Sequence, residues 1–141
     1  MKWLAVAFAL VFATPALAQV AGAPASAMTP TPDDRAKQWL TLVDDGNFAE
    51  AWKQAGAYLQ SHQSAAAFVQ AVGGQRTPMG AMSSRALKDV KLAQTLPGMR
   101  RGQYAVVRYD SAFAHQTAVT ESVTLVSEKG AWSVIAYRIE S

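Results

Sequence analysis

Apolar residues recur at helical spacing between residues 36 and 72, and from about residue 84 onward they alternate with polar ones. Ala36, Trp39, Leu40 and Val43 follow the i, i+3, i+4, i+7 rule, which predicts a helix with one apolar stripe that must pack on something. Pro32 can open this helix, because the N–H it lacks would be unpaired in the first turn anyway, and Thr31 or Asp33 can cap it. Asp44-Asp45-Gly46 ends it, glycine accepting the left-handed conformation of a helix stop. A second helix follows at once, with Asn47 as cap, Glu50 placed to return a hydrogen bond to it, and a stripe of Phe48, Ala51, Trp52, Ala55, Tyr58 and Leu59. Ser61 or Ser64 opens a third, weaker helix through Ala65, Phe68, Val69 and Val72, which loosens at Gly73-Gly74. Arg76-Thr77-Pro78-Met79-Gly80 reads as a turn.

The period then changes from 3.6 to 2. Residues 84–95 make a weakly patterned strand, closed by Leu96-Pro97-Gly98 with proline able to take the second corner of a turn. Tyr104 to Phe113 has the Tyr, Val and Phe density of a strand. Val119 to Val126 alternates cleanly, placing Val119, Glu121, Val123 and Leu125 on one side and Thr120, Ser122 and Thr124 on the other. Glu128-Lys129-Gly130 is a short hairpin turn, and Trp132 to Ile139 returns as the last strand. Three helices followed by about four antiparallel strands predict an α+β domain over residues 33–141, its helices covering one face of a curved sheet.

Two segments precede this domain. Lys2, the apolar run Trp3 to Phe12 and the small-residue site Ala16-Leu17-Ala18 predict a signal peptide over residues 1–18. The run is well short of the roughly 20 residues a membrane span needs, so no membrane span is expected. Residues 19–32, rich in Ala, Pro, Thr and Ser, predict a flexible leader. The expected destination is the periplasm or the exterior, after cleavage near Ala18.

Composition narrows the chemistry. Of 141 residues 50% are hydrophobic and 16% charged, which excludes a wholly disordered chain. The absence of cysteine excludes disulfides, thiol nucleophiles, Cys-ligated metal and a lipoprotein anchor. A formal charge of +3 is too small for a nucleic-acid footprint. His62 and His115 have no Asp, Glu or His at metal-ligand spacing, so neither metal nor other cofactor is expected.

Glu121 is the most informative polar residue. It shares a strand face with Val119, Val123 and Leu125, so a core on that face carries its carboxylate inward. Unpaired, that group would cost several kcal/mol or take up a proton, so a partner is expected, with Arg85, Arg76 and Arg108 as candidates. Such a pair either holds a polar ligand at a pocket mouth or simply fixes the fold; buried pairs without a catalytic role are common. Tyr104 and Tyr109 lie an odd number of residues apart, so at most one can point into a pocket and donate a phenolic hydrogen bond.

The runs from Trp39 to Trp52, Arg76 to Gly80 with Arg85, Leu96-Pro97-Gly98, Gly102-Gln103-Tyr104, Glu121 to Leu125 and Trp132 to Tyr137 together resemble the exported bacterial family of unknown function numbered 4019. The resemblance implies a cone-shaped α+β fold similar to the nuclear-transport-factor-2-like (NTF2-like) or cystatin-like group, and brings no activity with it. Three functions compete. A non-catalytic module binding a small molecule, or a second copy of itself as a homodimer, fits the lack of any catalytic constellation. A carboxylate acid/base enzyme of ketosteroid-isomerase type would use Glu121 with Tyr104 or Tyr109. An envelope accessory protein would act through its surface.

Overall fold

The computed structural model describes residues 28–141. The expected signal peptide, and the leader up to residue 27, lie outside the described residues. Four helices precede four strands: α1 Pro32–Asp44, α2 Phe48–Lys53, α3 Ala57–His62, α4 Ala65–Met79, then β1 Met82–Ala93, β2 Gln103–Phe113, β3 Gln116–Glu128 and β4 Ala131–Glu140. The strands form one antiparallel sheet in the order β1-β2-β3-β4, each hydrogen-bonded to its neighbour in sequence. Among the described residues no helix is long and apolar enough to cross a membrane.

The start of α1 is a capping box. Thr31 Oγ1 accepts from the Asp34 N–H at 3.1 Å while Asp34 Oδ2 accepts from the Thr31 N–H at 3.1 Å, which satisfies two otherwise orphaned donors. The helix stops at Gly46, whose φ of 76° lets the Asn47 N–H turn back to the Leu42 carbonyl at 2.8 Å.

Two helical expectations need correction. The single helix read through residues 47–59 is two, α2 and α3, and Asn47 makes no side-chain cap. The break falls at Gly56, whose N–H donates to the Val134 carbonyl at 2.7 Å and so covers that point on the β4 edge. A Cβ there would sit 3.0 Å from Ser133 Cβ, so the close approach requires glycine. Tyr58, expected in the buried stripe, is turned outward by this break. Second, α4 runs through Gly73-Gly74 to Met79, so the expected turn at 76–80 is helical, with Pro78 in its last turn. Gly73 lies against the Phe48 ring, where a Cβ would stand 3.3 Å from it, so this glycine serves close packing of α4 on α2.

The strands follow their expected positions within a few residues. Leu96-Pro97-Gly98-Met99 forms a turn closed by the Met99 N–H to the Leu96 carbonyl at 3.0 Å, with Gly98 at φ 74°, as a type II turn requires. Lys129 and Gly130 both have positive φ, the pattern of a two-residue hairpin turn. Extra residues bulge the sheet near Lys88 in β1 and near Ile135 in β4.

The core lies between the helices and one sheet face. Trp39, Leu40 and Val43 of α1, Ala51 of α2 and Phe68 of α4 meet Val107 and Tyr109 of β2, Val123 and Leu125 of β3, and Val134 of β4. Trp39 anchors it: its Nε1–H donates to the Ala51 carbonyl at 2.7 Å, and its ring meets Phe68 and Tyr137 edge-on at centroid distances of 6.1 and 5.4 Å.

Candidate functional site

The same alternation that packs Val123 and Leu125 inward takes Glu121 with them, and Glu121 is 0% exposed. Each carboxylate oxygen receives two hydrogen bonds. Oε1 accepts from Arg76 Nη1 at 3.3 Å and from the Tyr137 hydroxyl at 2.5 Å; Oε2 accepts from Arg85 Nε at 2.7 Å and from Ser111 Oγ at 2.5 Å. This is the full acceptor capacity of a carboxylate, met entirely by donors.

Asp44, the last residue of α1, completes the cluster. Its Oδ1 accepts from Arg76 Nη2 at 2.7 Å and Arg85 Nη2 at 2.9 Å, and its Oδ2 from Arg85 Nη1 at 2.7 Å. Arg85 therefore forks onto Asp44 with two nitrogens while its third reaches Glu121, the planar geometry that lysine could not reproduce. Two guanidinium groups and two carboxylates sum to zero charge. The cluster joins α1, α4 and all four strands, since Ser111 is on β2 and Tyr137 on β4. The Arg76 guanidinium also lies 4.5 Å from the centre of the Phe113 ring, and its Nε is buried without a hydrogen-bond partner among the described residues.

The electrostatics follow from burial and pairing. Burial pushes the Asp44 carboxyl up, but hydrogen bonds and charge from Arg85 and Arg76 outweigh it and hold the group below its ordinary range. Burial lowers Arg85, and the bonds and charges of Asp44 and Glu121 reverse this and raise it. Burial raises the Tyr137 phenol, and the Glu121 charge beside it raises it further.

The predicted residues divide. Glu121, Arg76 and Arg85 converge. Arg108 does not reach Glu121: it stands on the opposite face of β2 and pairs with Asp89 of β1, its Nε donating to Oδ1 at 2.9 Å. Tyr109 points into the core, where its hydroxyl donates to Asp33 Oδ1 at 2.7 Å. Tyr104 faces the other side, packs with Val126 and Ile135, and donates to the Arg100 carbonyl at 2.6 Å.

Asp44, Ser111 and Tyr137 join the cluster without a sequence expectation behind them. Ser111 carries the signal that exposed Glu121, a polar residue in phase with the apolar face of Val107 and Tyr109. Asp44 stands four residues after the buried Leu40, beside the α1 stripe, but reads as part of a helix stop. Tyr137 is displaced from simple alternation by the bulge near Ile135.

Among the described residues, clefts that open on the surface include four that are not lined by Glu121, Asp44, Arg76 or Arg85. One of 450 Å³ lies between α3, α4 and β4, lined by Leu59, Phe68, Val72 and Ile135 with Tyr137 among its walls. Another of 450 Å³ includes Ser111. The largest of these four, 650 Å³, lies between α3 and the β1–β2 connection, bounded by Tyr58, His62, Met99, Arg100 and Tyr104. The cluster thus touches these clefts only through two of its hydroxyl donors.

No curated protein matches the chain. A family model described as a protein of unknown function, DUF4019, matches residues 35–137, a span that contains every residue of the buried cluster and most of the fold around it, and the chain belongs to that family.

Proposed function

We propose that the protein is exported and acts as a non-catalytic binding module of NTF2-like form, taking a small, mainly apolar molecule in the cleft between α3, α4 and β4. The observation that carries this reading is the saturation of Glu121. A general base needs a lone pair within reach of substrate, and every hydrogen-bonding position of this carboxylate is occupied by a donor of its own chain. Its geometry suits a fixed support. Tyr137, held by Glu121 and by Arg76 at 3.1 Å, forms a rigid wall of a cleft otherwise lined by aliphatic and aromatic side chains, with His62, Gln63 and Gln75 as polar groups.

The test is a thermal-shift screen of amphipathic small molecules against the purified protein and an Ala71→Trp variant, whose new side chain projects from the rim of this cleft. The reading expects compounds that raise the melting temperature of the protein and leave the variant unmoved. Conversion of any bound compound overturns the non-catalytic assignment, and equal stabilisation of both proteins overturns the cleft. Export is tested separately by fractionation and N-terminal sequencing, which should find the chain outside the cytoplasm beginning at Gln19.

A further inference from the structure

The helices cover β1 as far as Arg85 and leave the strand uncovered from Leu87 onward. Leu87, Val90 and Leu92 of β1 are 47%, 38% and 72% exposed, yet they stand opposite Tyr109, Val107 and Ala105 of β2, all fully buried, and so share their face. The apolar face thus continues to the β1 edge without a covering layer. Among the described residues nothing pairs with the outer edge of β1, whereas β4, at the opposite end, is met by Gly56. A long edge strand with exposed aliphatic residues is a ready template for another strand.

We propose that β1 pairs antiparallel with β1 of a second copy about a two-fold axis at Val90, joining two sheets into one of eight strands. The charges of the edge select this partner and this register. Lys88 is drawn back toward Asp110 at 3.4 Å and Arg85 is consumed by the buried cluster, which leaves Lys91 as the cation of β1 without a direct ion pair among the described residues. Pairing about Val90 sets each Lys91 directly opposite the second copy's Asp89, so one contact is made twice, as a two-fold interface requires. Arg108 forks onto Asp89 from β2, Nε on Oδ1 and Nη2 on Oδ2, and each carboxylate oxygen keeps a further acceptor position for the second copy's lysine. On the other face Val90 meets the second copy's Val90, with each Leu92 diagonal to it, closing a continuous aliphatic strip. The bulge near Lys88 limits the ladder to a few residues, so the dimer is weak and concentration-dependent. At the other end of the sheet Gly56 occupies the β4 edge at Val134, which works against addition of a further copy there.

Sedimentation equilibrium of the purified protein over a wide concentration range reads this directly. A reversible monomer–dimer equilibrium is expected, with no larger species. Val90→Lys places like charges opposite each other and should weaken the dimer at least about tenfold while circular dichroism and melting temperature stay unchanged. Asp89→Lys and Lys91→Asp should each be monomeric alone and form a dimer when mixed, because only the mixture restores opposite charges. A monomer at every concentration, growth beyond the dimer, a dimer untouched by Val90→Lys, or no rescue on mixing overturns the proposal. None of these outcomes bears on the cleft, so this proposal and the ligand-binding reading fail separately.

Discussion

Arg85 on β1 donates its Nε–H to Glu121 on β3 at 2.7 Å, across the intervening strand β2. The contact spans two strand spacings because Ser111, the β2 residue between them, is small enough to be passed and itself donates to the same oxygen. Removing the anion from this arrangement leaves two guanidinium groups facing one carboxylate inside the fold. Glu121→Gln should therefore cost about 3–5 kcal/mol, the range for breaking a buried pair by deleting one partner. Urea denaturation measures it. By contrast Arg108→Ala, which removes a solvent-screened pair on the outer face, should leave the denaturation midpoint nearly unchanged.

The cluster also contributes to both pH limits of stability. Asp44 has its carboxyl lowered in the folded protein, so the stability it contributes is complete above its ordinary value of 3.8 and is lost as pH falls through the folded value. Tyr137 has its phenol raised, so its contribution is complete below 10.0 and declines as pH rises above it, when the unfolded chain ionises and the folded one resists. Asp44→Asn should flatten the acid limb of a stability-against-pH curve, and Tyr137→Phe should flatten the alkaline limb. Tyr109, raised by burial and by its bond to Asp33, adds to the alkaline limb, so Tyr137→Phe leaves part of that slope in place.

Glu121 was legible in the sequence because strand alternation is local: four residues in phase decide the face. Its partners were less so. Arg76 and Arg85 could be nominated as cations, but Arg108 was equally eligible by charge, and only the pairing of β1 with β2 determines that it faces Asp89. The division of the second helix at Gly56 was hidden for a related reason. A helical stripe continues in register through a short break, and the cause of the break, the Val134 carbonyl, lies 78 positions away in the chain. The α4 extension failed for another cause: Gly73-Gly74 and Pro78 weaken helix propensity, and packing against Phe48 overrides that loss.

Glycines at two positions should respond in opposite ways to the same substitution. Gly74 lies inside α4 with nothing within 4 Å of a built Cβ, so Gly74→Ala should stabilise the protein by about 0.5–1 kcal/mol through helix propensity alone. Gly80, just past the helix end, has φ 78°, and a Cβ there would stand 2.8 Å from His115 Cδ2 and 3.0 Å from Ala114 Cβ. That contact is where α4 docks on the β2–β3 turn, through the His115 N–H to the Met79 carbonyl at 2.9 Å and the Ala114 N–H to the Ala81 carbonyl at 2.9 Å. Gly80→Ala combines a backbone conformation alanine disfavours with a collision at a hydrogen-bonded junction, so a loss of about 1–3 kcal/mol is expected. Because Arg76 sits one turn before this junction, the loss should also loosen the cluster. Amide hydrogen exchange should then rise around Arg76 and Glu121 in Gly80→Ala and stay unchanged there in Gly74→Ala.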